Sequence, residues 1–158
     1  MITLQFSTQH DLGSAVIRWG NWSDVSHVDL VLPDGSLLGA RTDHNPGVQV
    51  RPKGYAKFSR IIQVDYDFTD AQAEIYYAWC RSQLGKPYDK PGIASYVTHR
   101  RKNLDWRDES AWYCSELQAR ASEIAGNPFL DFGYQGVFKV DPAHLLMSRL
   151  TIARRYIL

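Results

Sequence analysis

The sequence predicts an α+β domain built on an antiparallel sheet. Three observations carry this reading. Short stretches of alternating apolar and polar residues follow one another through tight turns as far as Tyr66. Helical patterns lie mainly after them, around two cysteines. No repeat, linker or low-complexity segment interrupts the chain, so residues 1–158 are expected to share one core. A domain of that length needs no disulfide framework.

"ITLQFS" (2–7) alternates and is the first predicted strand. "DLGSAVIRWGN" (11–21) predicts a short helix, with Asp11 as N-cap and Gly20 or Asn21 as its end. "SHVDLVL" (26–32) and "SLLGAR" (36–41) are strands joined by the turn "PDG". A loop "DHNPG" leads to a strand at 48–52, and "SRIIQVDY" (59–66) is the next. These short connections predict antiparallel pairing. "TDAQAEIYYAWCRSQLG" (69–85) is a helix with a Thr or Asp cap and a Gly stop. "KPYDKPG" (86–92) is a loop, and a second helix starts at "CSELQARASEIAG". The tail predicts a strand at 138–140, a short helix after Asp141-Pro142 and a closing strand.

Composition excludes several function classes. Lys and Arg number 18 against 17 Asp and Glu, which gives no reason to expect a polyanionic partner. The charged run at 98–110 interleaves acids with bases and reads as a solvated face, so no nucleic-acid partner is expected. No apolar run approaches the length of a membrane span, and the opening residues lack the basic and apolar regions of a signal peptide. The only cysteines are Cys80 and Cys114. Two cysteines do not make a secreted scaffold, so two free thiols in a reducing compartment are expected, in a cytoplasmic or phage-associated protein.

Cys114 is the residue that invites chemistry. It falls in the first turn of its predicted helix, where backbone N–H groups and the helix dipole lower a thiol pKa and can hold an oxyanion. His27 stands on a predicted strand, a rigid base if the fold brings it to the sulfur. Against this, most lone cysteines are small core residues and most strand histidines are structural. Cys80, mid-helix among Tyr76, Tyr77 and Trp79, reads as core. His10, His44, His99 and His144 sit near loops, caps or polar runs. Neither cysteine belongs to a CxxC or CxxH pair, so no metal site is expected, and no cofactor.

Taken in order, "SHVDLVLPDGSLLGA", "GKPYD" and "WYCSEL" resemble the NlpC-type, papain-like cysteine peptidase superfamily. Most of its members place the cysteine helix first. Here the histidine hairpin precedes it, which resembles the circularly permuted branch of YiiX-like proteins and lecithin retinol acyltransferase relatives. The likeness runs from about Trp22 to about Ala125. It implies a papain-like fold with Cys114 as nucleophile and His27 as general base. It puts Tyr88 and Asp89 near the site and gives Ser115 and Glu116 a part in holding the helix. Trp112 and Tyr113 would wall a substrate pocket with Tyr88.

One position departs from that family. Its members usually carry a polar third residue near Gly39, and glycine has no side chain to orient an imidazole. Asp43 shares strand parity with Gly39 and would substitute if the strand ran that far. Asp29 shares parity with His27 itself, and a backbone carbonyl or a water is a further option. The expected function is a cysteine hydrolase or acyltransferase. It would cleave an amide or ester of a small-molecule, cell-wall peptide or lipid-like substrate through a thioester on Cys114. The alternative is a non-catalytic ligand-binding module on the same scaffold, as part of a phage or bacterial assembly.

Overall fold

The computed structural model describes residues 1–9, 23–43, 45–90, 109–131 and 140–158. The helix expected at 11–21, His10, His44, His99, the strand at 138–139 and most of the polar run at 98–110 lie outside these. Within them the chain is one α+β unit. Its strands are β1 (Ile2–Thr8), β2 (His27–Val31), β3 (Leu37–Arg41), β4 (Gly47–Arg51), β5 (Arg60–Tyr66) and β6 (Thr151–Tyr156). The helices are α1 (Asp70–Ser82), α2 (Cys114–Ile124) and α3 (Pro142–Leu146). One sheet holds all six strands, ordered β4-β3-β2-β1-β5-β6, with every neighbour antiparallel.

Alternation in the sequence gives the sheet two unlike faces. Ile2, Leu4 and Phe6 of β1, Val28 and Leu30 of β2, and Val64 of β5 share the apolar core. The opposite parity carries Gln5 and Ser7 on β1, paired across the ladder with Asp29 and His27 on β2. This second face is also buried, so its polar groups must find partners inside the protein. The β2–β3 hairpin closes through Pro33-Asp34-Gly35, where Asp34 Oδ1 accepts from the Ser36 amide at 2.9 Å.

Both longer helices rest on local signals. α1 opens on a capping box between Thr69 and Gln72 and turns Ala73, Tyr76 and Cys80 inward, one face at helical spacing. Tyr76 anchors α1 to α2 by donating to Gln118 Oε1 at 2.8 Å. α2 lies against β2 and β3. There the Gln118 amide donates to Leu38 O at 3.3 Å, and Ser115 Oγ donates to Val140 O at 2.6 Å. Ser115 therefore fastens the helix at its first turn, as expected of it.

Candidate active site

The site forms where β2 and β3 part. Their pairing covers Leu30↔Leu38 and Val31↔Leu37 and extends no further toward His27. The N-terminus of α2 comes to this gap, so the amide of Val28 donates to the Cys114 sulfur. Cys114 is the first residue of the helix. Tyr113, the N-cap, offers no side-chain hydrogen bond to the first turn. Cys114 and His27 are within hydrogen-bonding reach of one another, and both are buried.

The carboxylate at the imidazole is Asp29. His27 Nε2 lies 2.8 Å from Asp29 Oδ1, and the Asp29 side chain is fully buried. Oδ1 has no hydrogen bond of good geometry, so it is held to the ring by charge and proximity. Gly39 makes this possible. A Cβ there would lie 1.9 Å from Asp29 Oδ1 and 3.3 Å from Val28 O. The position that lacks an orienting side chain is the one that makes room for the Asp29 carboxylate.

Asp43, the expected third residue, does not reach the ring. Its carboxylate forks onto Arg41, with Oδ1 2.6 Å from Nε and Oδ2 2.9 Å from Nη2. The strand ends at Arg41, before the pleat could carry Asp43 back to the imidazole. Asp29 gains the place from the histidine's own strand, two residues on and on the same face.

Tyr55, which the sequence reading missed, completes the polar face. Its hydroxyl donates to Asp29 Oδ2 at 2.9 Å, accepts from Arg41 Nη1 at 3.0 Å and lies 3.5 Å from His27 Nε2. Two guanidinium groups lie against its ring, Arg41 at 5.2 Å and Arg51 at 5.6 Å from the centroid. Arg41 also donates to Gln9 Oε1. The bulk of Arg51 is spent on main chain, with bonds to the carbonyls of Gly39, Asn45 and Gly47. The one available signal was strand parity, which aims Arg41 and Asp29 alike at the second face. Nothing local places Tyr55, which comes from the turn after β4.

Electrostatics within the cluster are consistent. Burial alone would lower the His27 pKa, but Asp29 and the Cys114 sulfur outweigh it and lift the imidazole to about 9. Burial alone would raise the Cys114 thiol, but His27 and the Val28 N–H outweigh it and hold the thiol below its ordinary range. Asp29 is likewise held below the ordinary carboxylate range against its burial, first by His27, then by Arg41 and Tyr55. Each partner is thus shifted toward its charged form, the sulfur toward thiolate and the ring toward imidazolium. Cys80 behaves oppositely: buried and free, its thiol is pushed up by desolvation alone.

The "PYD" loop is tied to the cysteine helix through the chain just before it. The Asp89 amide donates to Trp112 O at 3.0 Å, and the Trp112 amide donates to Pro87 O at 3.1 Å. The loop is moored on its other side to β4 by Val48 N to Lys86 O at 2.9 Å. Gly47 allows that approach, since its φ is +96° and a Cβ would meet Lys86 O at 2.4 Å. Tyr88 is half-buried, and its hydroxyl is kept protonated by burial and by the nearby Cys114 sulfur. Trp112 turns inward, its indole donating to Gln83 Oε1 at 3.0 Å and meeting Trp79 edge to face. Tyr113 is buried as well. Of the three expected pocket residues, Tyr88 lies near enough to the sulfur to feel its charge, while the Trp112 ring is engaged in packing.

The fold has a known counterpart. The crystal structure of metalloprotein yiiX from Escherichia coli O157:H7 superposes with a TM-score of 0.65, covering 98% of this chain and 96% of that one at 16% sequence identity. The chain therefore has a YiiX-like fold. No protein-family model matches it, and no curated protein matches it in sequence.

Proposed function

We propose that this protein is a cysteine hydrolase or acyltransferase of the permuted, papain-like type, with Cys114 as nucleophile, His27 as its acid and base, and Asp29 as the carboxylate that orients the ring. The observation that carries this is the buried sequence of contacts from Cys114 to His27 to Asp29, with the thiol lowered and the imidazole raised. The YiiX-like fold supports it, since the histidine strand precedes the cysteine helix as in the permuted branch.

With Nε2 facing Asp29, Nδ1 is the ring nitrogen left for the sulfur. The thiolate attacks the carbonyl carbon of an amide or ester, forming the C–S bond. The first-turn N–H groups of α2 hold the negative oxygen. Imidazolium gives its proton to the departing nitrogen or oxygen as that bond breaks, leaving a thioester. Neutral His27 then takes a proton from water or an acceptor hydroxyl or amine, which attacks the thioester and releases Cys114. Substrates of the class are cell-wall peptide amides or lipid-like acyl groups.

The structural counterpart is described as a metalloprotein. Among the described residues of this chain, no three His, Cys, Asp or Glu side chains gather in a way that would hold a metal ion. At the site itself, Asp29 is committed to His27 and Tyr55. The donor set does not fit a metal centre.

The second reading, a ligand-binding module that does no chemistry, draws on one observation: Cys114 is only 3% exposed. Profiling with acyl and peptide probes separates the two. Covalent labelling of Cys114 that is lost in His27→Ala supports the enzyme. A panel of probes that leaves Cys114 unmodified, while the folded protein still binds a probe reversibly, supports the module.

A further inference from the structure

We infer that Arg41, acting through the hydroxyl of Tyr55, is a positioning device that fixes which ring nitrogen of His27 carries the proton. The inference rests on the thiolate–imidazolium reading above and extends it to two residues behind the Asp29 carboxylate.

The argument is one of donors and acceptors. A guanidinium can only donate, and Arg41 Nη1 donates to the Tyr55 oxygen at 3.0 Å. The single proton of that hydroxyl must therefore point elsewhere, and Asp29 Oδ2 lies 2.9 Å away. Tyr55 stays protonated, because burial and the adjacent Asp29 charge both push its pKa up. Asp29 thus receives a hydrogen bond at Oδ2 and remains an acceptor-only carboxylate. Its other oxygen, 2.8 Å from His27 Nε2, is then complementary only to a protonated Nε2. Nδ1 is left to exchange its proton with Cys114. Direction runs one way along the chain of groups, from Arg41 to Tyr55 to Asp29, with His27 Nε2 held against the same carboxylate by charge and proximity.

The surroundings hold this direction in place. Arg41 is buried and gripped by Asp43 and Gln9, so it cannot swing away from Tyr55. The Tyr55 ring has the guanidinium groups of both Arg41 and Arg51 against it and packs edge to face on Phe58, with ring centroids 5.5 Å apart. Were Arg41 absent, the hydroxyl could accept from Nε2, 3.5 Å away, or drop its bond to Asp29. The positive groups facing Asp29 are Arg41 and His27, with Arg51 beyond the Tyr55 ring. The negative neighbour of Arg41 is Asp43.

The test is the pH profile of Cys114 carboxamidomethylation by iodoacetamide, followed by mass spectrometry in the full-length protein. Tyr55→Phe keeps the ring and removes the hydroxyl. With Asp29 released from its side-chain donor and free to turn from the imidazolium, the onset of the fast reaction should move about one pH unit upward, roughly tenfold slower on the acid side. Arg41→Lys should shift it the same way. A folded Tyr55→Phe whose profile superimposes on wild type overturns the inference, provided that His27→Ala changes the profile. If His27→Ala also leaves it unchanged, the thiolate reading itself falls and the inference with it. Wild-type protein supplies an independent check: nitrogen NMR of the His27 ring above its pKa should find the neutral Nε2–H tautomer. The Nδ1–H tautomer would overturn the inference whatever the variants do.

Discussion

Asp29 and Gly39 fit as carboxylate and vacancy: a Cβ on Gly39 would stand 1.9 Å from Asp29 Oδ1. The glycine that departs from the expected pattern is the feature that leaves room for a carboxylate from the neighbouring strand beside the imidazole. Gly39→Ala should therefore displace Asp29 and slow Cys114 alkylation. It should also destabilise the fold by about 1–3 kcal/mol, the usual scale of overpacking. Because the clash is with one side chain, Asp29→Ala combined with Gly39→Ala should be no less stable than Asp29→Ala alone. Urea unfolding of the four proteins reads this out. Additive losses would show that the clash is with the backbone instead.

The two aspartates should separate sharply. Asp29→Asn removes the charge opposite the imidazolium, and loss of an orienting carboxylate costs up to about 10⁴-fold in turnover. Asp43 has a side chain 42% exposed and pairs with Arg41 at the rim, where ion pairs contribute about 0–1 kcal/mol. Asp43→Asn should keep turnover within a few-fold of wild type, on whichever probe substrate profiling yields. Equal loss in both variants would place Asp43 in the chemistry after all.

The pH dependence of stability follows from His27. Its pKa in the folded protein, about 9, exceeds that of a free imidazole, so the folded state binds the proton more tightly. The stabilisation is complete below the free imidazole range, near ~6.5, and fades as pH rises through about 9. Cys114 offsets this in wild type, since its lowered pKa adds stability as pH rises toward the ordinary thiol range. The loss should therefore be read without the thiol: Cys114→Ser should lose more thermal stability between neutral and strongly alkaline pH than Cys114→Ser/His27→Gln does. Asp29 runs the other way: its lowered pKa brings stability that is present above the free carboxylate range and is lost as acid protonates it. Melting curves that stay parallel for Cys114→Ser and Cys114→Ser/His27→Gln across the alkaline range would contradict the assignment.

Cys80 should serve as an internal control. Fully buried on the inner face of α1, with its thiol pushed up, it should resist iodoacetamide in the folded protein. Peptide mapping should find it modified only after denaturant unfolds the chain. Modification of Cys80 as fast as Cys114 under native conditions would remove the contrast on which the Cys114 reading depends.

Much of the fold was legible because its signals are local. The alternation of Ile2, Leu4 and Phe6, the Pro33-Asp34-Gly35 turn and the Thr69 cap each act within a few residues. Cys114 at the start of its helix was legible for the same reason. The third residue was not. Asp43 looked right only by parity along a strand that stops at Arg41, and a strand end depends on what the loop beyond it meets. Here that is Arg41 itself, which takes the Asp43 carboxylate. Gly39 and Asp29 were both in view as single residues. Their fit is a property of two strands side by side, and it emerges only once the register is known. Tyr55 lies on no periodic element, so only the folded chain brings it to Asp29.

The central claim is that Cys114 is held as a thiolate by His27. The most direct measurement is the ultraviolet thiolate absorbance of wild type minus that of Cys114→Ala, titrated from acid to alkaline pH, and repeated in a His27→Ala background. The account predicts a Cys114 transition below the ordinary thiol range in the first pair, moved upward by at least a pH unit when His27 is absent. A Cys114 transition at or above the ordinary thiol value, the same with and without His27, would contradict it.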